Sequence, residues 1–212
     1  MSVDPAHAPL RAQARDYYER RLRAHGATPA GMDWNSLGSQ ELRFQQLARL
    51  WEAEPSAGVV DYGCGYGALG SYLRARGHEG PYVGFDVSPE MIDAARTHLS
   101  DLSSCQVTAA RHELTPLDYA VASGVLNVKQ GAGEPEWTAY ARDTIADLAA
   151  LGTRGFAFNA LTLYSDADKR RPDLYYADPL ALFDHCKRAY SRFVTLLHDY
   201  PLYEFTILVR RS

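Results

Sequence analysis

Val59-Val60-Asp61-Tyr62-Gly63-Cys64-Gly65-Tyr66-Gly67-Ala68-Leu69-Gly70 is the stretch that decides the fold. Two β-branched residues predict a buried strand, the glycines a tight turn, and residues 68–75 the start of a helix. Glycine takes positive φ freely and lets a ligand lie against bare main chain. The new helix turns its unpaired N–H groups toward whatever occupies the turn.

Read literally, Gly65-x-Gly67-x-x-Gly70 is a dinucleotide fingerprint. Three features pull it elsewhere. The glycines begin at Gly63, giving Gly-x-Gly-x-Gly. Asp61 ends the strand itself and would repel a pyrophosphate, whereas it would attract the ammonium group of an amino acid. A second strand, Tyr82-Val83-Gly84-Phe85-Asp86, ends in another acid, placed to accept hydrogen bonds from two ribose hydroxyls. Ser88 and Pro89 then read as the N-cap and first position of a further helix.

Here the chain resembles the class I S-adenosylmethionine (SAM) methyltransferases. Asp61 to Gly67 is similar to their first SAM motif, and Asp86-Val87-Ser88-Pro89-Glu90-Met91 to the second. The resemblance implies SAM as cosubstrate or substrate. It implies that Asp61 and the loop glycines, Gly63 and Gly65 among them, hold the methionine end, that Asp86 holds the ribose, that Met91 packs on the nucleoside, and that Cys64, Tyr66 and Val87 are further cofactor-binding residues. It also implies an α/β, Rossmann-like fold: a seven-stranded, mostly parallel sheet with an antiparallel last strand. Residues 1–52 form a helical segment, a candidate lid, before a SAM-binding domain at 53–212.

The rest of the chain agrees with that layout. Residues 1–10 read as a loose lead-in and residues 11–24 as a helix carrying Tyr17 and Tyr18. Ser39 is a candidate cap for the next helix, whose Phe44, Leu47, Leu50 and Trp51 recur at helical spacing. Arg43 and Gln40 bond the SAM carboxylate or are surface helix residues; both readings stand. Strands follow at 105–108, 119–123 and 155–159, with Ser123 at the carboxyl edge beside the cofactor. Residues 160–177 form a connection longer than most, of the kind that serves as a lid or binding loop. Asp178 and Pro179 open a helix to about Tyr190. Strands at 193–197 and 204–209 are only six residues apart, too few for a parallel crossover, so the last must run antiparallel.

Composition narrows the function. A net charge of −4 gives no basic surface for nucleic acid. No apolar run approaches the roughly 20 residues of a membrane span, and the first residues lack a signal-peptide core. The three cysteines (Cys64, Cys105, Cys186) are odd in number and scattered, which fits a reduced, cytoplasmic protein. No histidine cluster suggests a metal. A monomer or homodimer acting on a small molecule is expected.

Fourteen tyrosines are the remaining signal. Tyr17, Tyr18, Tyr66, Tyr164, Tyr175 and Tyr176, joined by Trp34, are candidates for an aromatic cage around a cation. Asn127, Tyr175 and Tyr176 are the candidate catalytic residues. Methyl transfer to a small molecule is the leading expectation. Over its full length the chain also resembles small bacterial azetidine-2-carboxylate synthases. That implies an alternative biosynthetic role, in which the SAM α-amine attacks its own γ-carbon and expels methylthioadenosine. A non-catalytic SAM-binding protein is the third reading.

Overall fold

In the computed structural model, which describes residues 7–211, Val59–Tyr62 is strand β1 and Ala68–Ala75 is the helix that leaves it. Two helices come first. Helix α1 spans Ala8–His25 and α2 spans Leu37–Ala48, joined by a one-turn helix at Pro29–Met32. The helix after β1 is α3. Then follow β2 (Tyr82–Phe85), α4 (Pro89–His98), β3 (Cys105–Thr108), β4 (Leu117–Ala122), α5 (Glu134–Leu151), β5 (Gly152–Leu161), α6 (Pro179–Ala189), β6 (Phe193–Leu197) and β7 (Glu204–Arg210).

The seven strands form one sheet in the order β3-β2-β1-β4-β5-β7-β6. Strands β1 to β5 pair in parallel, and β7 runs antiparallel to both β5 and β6. The short link from β6 to β7 forces this hairpin, as its length predicts. The strand order reverses direction between β1 and β4, and a ligand cleft is expected at the carboxyl ends of strands at such a point.

Alternating residues on each strand feed two cores. Phe156, Phe158, Phe205, Ile207 and Val209 pack on one face against Trp137, Ile145 and Leu148 of α5. Ala157, Leu208, Val59 and Val121 face the other way, against Phe44 and Leu47 of α2 and Leu69 and Leu73 of α3. Helix α2 is therefore part of the second core. Its cap is Ser36 rather than Ser39. The Ser36 hydroxyl accepts from Ser39 N at 3.1 Å, and Ser39 Oγ in turn accepts from Ser36 N at 3.2 Å. Ser39 is thus the third residue of a reciprocal capping box. Ser36→Ala is expected to cost about 1 kcal/mol, read as a lower urea midpoint with an unchanged slope.

Residues 160–177 are irregular apart from one helical turn at Ala167–Lys169 and isolated bridges from Thr162 to Ala177 and from Val128 to Leu174. No described helix is long and apolar enough to cross a membrane.

Candidate active site

The glycine turn after β1 is built as its residues require. Gly63, Gly65 and Gly67 all have positive φ (83°, 53° and 82°). A Cβ on Gly63 would lie 2.4 Å from Val125 Cγ2, and one on Gly65 would lie 2.5 Å from the Met32 sulfur. The turn is thus bare main chain pressed on two sides, and no other residue fits it without displacing a neighbour.

A cavity opens above this turn, with an empty volume of about 930 Å³ counted out to its mouth. Its floor is the carboxyl ends of β1, β2 and β4: Asp61, Tyr62 and the glycine turn, then Phe85, Asp86 and Val87, then Ser123, Gly124 and Val125. Its roof is the N-terminal segment. Helix α1 presents Arg11, Ala14, Arg15 and Tyr18, one stripe at helical spacing, and Met32, Trp34, Gln40 and Phe44 close the adjoining side. Tyr140 of α5 completes the wall.

Two acids dominate its electrostatics. Asp61 is 2 % exposed, and its Oδ2 accepts from the Tyr82 hydroxyl at 2.7 Å. Burial pushes its pKa from 3.8 up to about 7; the Tyr82 bond pulls it partly back, and the negative Asp86 nearby adds to the rise. Asp86 is half-buried. It accepts from Gly65 N at 3.0 Å and Ser88 N at 2.9 Å. Burial pushes it up to about 6 against those two bonds. Cys64 is also buried, and that burial raises its thiol, so it stays protonated and unreactive. The Tyr66 hydroxyl donates to Gln40 Oε1 at 3.2 Å, tying the turn to α2.

Of the residues expected from sequence, Asp61, Gly63, Cys64, Gly65, Tyr66, Asp86, Val87, Ser123, Trp34 and Tyr18 meet at this one cavity. Others do not. Met91 is fully buried and off the cavity wall; its N–H donates to the Ser88 hydroxyl that caps α4. Arg43 faces inward and grips Glu204, with Nε 3.0 and 2.9 Å from the two carboxylate oxygens and Nη2 2.6 Å from Oε1. It is neither a surface residue nor a wall of the cavity. Asn127 braces the chain: its Oδ1 accepts from Leu161 N at 3.1 Å and its carbonyl from Tyr175 N at 2.8 Å. Tyr175 belongs to the core, with its hydroxyl 3.0 Å from Thr138 Oγ1. Tyr176 accepts from Arg171 N. None of the three candidate catalytic side chains lines the cavity: Asn127 braces the end of β5, Tyr175 packs against α5, and Tyr176 bonds within its own loop. Tyr17 donates to Asp33, and Tyr164 is 59 % exposed. The tyrosine cage is not formed; Tyr18, Tyr62, Tyr66 and Tyr140 line the cavity instead.

Sequence reasoning passed over Arg11, Ala14 and Arg15, although with Tyr18 they repeat at i, i+3, i+4 and i+7. It also passed over Tyr62 and Tyr140. Tyr62 donates to Asp147 Oδ2 at 3.1 Å, and Arg111 pairs with the same carboxylate. Among the described residues, no group of three or more acids, histidines and cysteines is arranged to hold a metal.

An open α/β sheet with a roofed cleft at its strand switch, a buried and a half-buried acid and a bare glycine turn has the layout of a small-ligand site. Comparison with known proteins gives the family. The model described as "Methyltransferase domain" matches residues 60–151. Rv1506c of Mycobacterium tuberculosis, which carries a methyltransferase name, is 51 % identical over 164 residues, 77 % of this chain and 99 % of that protein. The chain belongs to this methyltransferase family. Two solved structures share the fold at 19 % identity. Synechocystis magnesium protoporphyrin IX methyltransferase with bound S-adenosylhomocysteine has a TM-score of 0.67, over 95 % of this chain and 99 % of that one. The Bradyrhizobium japonicum N-methyltransferase NodS, also with S-adenosylhomocysteine, has a TM-score of 0.65, over 92 % and 97 %.

Proposed function

We propose that the protein transfers a methyl group from SAM to a small-molecule acceptor. The observation that carries this reading is Asp61, a carboxylate buried at the cavity floor and held, among the described residues, by an uncharged donor, beside a turn of bare glycines. It is suited to an ammonium group, and Asp86 to a pair of vicinal hydroxyls. SAM, when bound, supplies an electrophilic methyl on a sulfonium. The chain's own residues bind and orient. The turn from Gly63 to Gly67 offers main chain without side chains, Tyr62 and Tyr140 flank the Asp86 end, and α1 excludes water from above. The roofed cavity favours a small acceptor, because a macromolecule would need an open face. The solved structures of NodS and the magnesium protoporphyrin IX methyltransferase hold S-adenosylhomocysteine, what SAM becomes once its methyl is given up, which supports methyl transfer.

Mass spectrometry of SAM incubated with the purified protein, alone and then with panels of amines, thiols and carboxylates, tests the reading. Acceptor-dependent S-adenosylhomocysteine is the expected product. Methylthioadenosine with azetidine-2-carboxylate from SAM alone would replace methyl transfer by cyclisation. Tight SAM binding with neither product would leave a binding protein. Asp86→Ala is expected to weaken SAM about tenfold by calorimetry, since it removes the ribose acceptor and frees Gly65 N; an unchanged Kd would take Asp86 out of the site.

A further inference from the structure

We propose that Trp34 is the wall that borders the reacting end of the cosubstrate, and that the buried Arg43–Glu204 pair is the positioning device that holds it there. The inference rests on the cosubstrate reading above. Two neighbours fix Trp34. The Arg43 guanidinium carbon lies 4.0 Å from the centroid of its ring. Gly124 meets the ring edge, where a Cβ would stand 2.4 Å from Trp34 Cη2. Gly124 has φ +78° and donates its N–H to Asn159 Oδ1 at 2.8 Å, so the seat is as fixed as the clamp.

The clamp is rigid for a plain reason. Arg43 and Glu204 are 6 % and 1 % exposed, and three donor–acceptor contacts join them across 161 residues of chain. A fourth runs from Arg43 Nη1 to Ser39 O at 2.6 Å. Glu204 opens β7 and Arg43 lies in α2, so the pair also bolts the roof to the sheet. Buried pairs stabilise poorly but define geometry well. Glu204 neutralises the guanidinium, which leaves the indole free to attract another cation.

Strand order separates this wall from Asp86. β4, which leads into Ser123-Gly124, lies on one side of β1, and β2, which leads into Asp86, lies on the other. Gly63 abuts Val125, and Gly124 abuts Trp34. With the ammonium group on Asp61, the neighbouring sulfonium faces Trp34 rather than the ribose acid Asp86.

Intrinsic fluorescence and calorimetry, titrating SAM and separately S-adenosylhomocysteine into the full chain, test this. Trp51 and Trp137 are buried away from the cavity, so a ligand-dependent change in emission reports Trp34. We expect such a change in the wild type and its loss in Trp34→Phe. Trp34→Leu should weaken SAM about tenfold and S-adenosylhomocysteine less, with Trp34→Phe restoring most of the SAM affinity. Arg43→Met/Glu204→Met, which removes both charges together, should weaken both ligands about tenfold and shrink the emission change. Gly124→Ala should do the same from the ring edge without touching the pair, and serves if the double variant does not fold. Wild-type Kd values and emission changes in both of these variants would overturn the positioning role. An emission change that survives in Trp34→Phe would overturn the contact. A wild type that binds neither ligand would overturn the cosubstrate reading, and this inference with it.

Discussion

Asp61→Asn is expected to raise the melting temperature of the free protein and to weaken SAM binding by about ten- to a hundredfold. Both effects have one cause. In the folded chain the Asp61 pKa is pushed from 3.8 to about 7. Between those values the folded state holds a proton that the unfolded state has released. Stability from this group is therefore full below about pH 4, falls as pH rises to about 7, and stays low above it. The shift corresponds to up to about 4 kcal/mol. Asparagine carries no charge to desolvate and keeps an oxygen for the Tyr82 hydroxyl. At pH 8 the variant should melt several degrees higher, at about 2–4 °C per kcal/mol for a chain of this length. Its affinity should fall by about 1.5–3 kcal/mol, the worth of a charged hydrogen bond. In the wild type, SAM affinity should fall as pH drops below about 7, where Asp61 must lose its proton to receive an ammonium group. Melting scans and calorimetry at pH 6 and 8 check both arms; a less stable Asp61→Asn would mean that the site does not strain the free protein.

Arg43→Met is expected to cost about 3–5 kcal/mol, because it strands the Glu204 carboxylate at 1 % exposure. The melting temperature should fall by about 10 °C or more. Adding Glu204→Met should recover most of the loss, since no buried charge then lacks a partner. The two substitutions would be strongly non-additive, which a double-mutant cycle reads directly. Recovery of stability without recovery of ligand affinity would separate the pair's role as a clamp on Trp34 from any role in holding the fold.

Why the sequence spoke clearly in some places and not in others has a physical explanation. The floor of the site was legible because local chain geometry makes it: β-branched residues, an acid and three positive-φ glycines occur together within one short stretch. The antiparallel end was legible because six residues cannot cross a sheet. Arg43, Asn127 and Tyr175 were misread because their partners, Glu204, Leu161 and Thr138, are distant in sequence. A polar side chain near a motif has the same appearance whether it meets a ligand or a backbone N–H from another strand. The roof was only half legible. Tyr18 and Trp34 were expected, but the Arg11–Tyr18 stripe was not separated from an ordinary solvated helix face, since nothing within α1 says which side meets the sheet.

The position of β7 has a consequence for how the protein is made. The last strand in sequence fills the slot between β5 and β6. Until residues 204–210 leave the ribosome, two strand edges lie open and aggregation-prone, and Glu204 is not there to receive Arg43. The roof, translated before β7, therefore waits for its bolt, and the cleft takes its final form only once residues 204–210 have emerged.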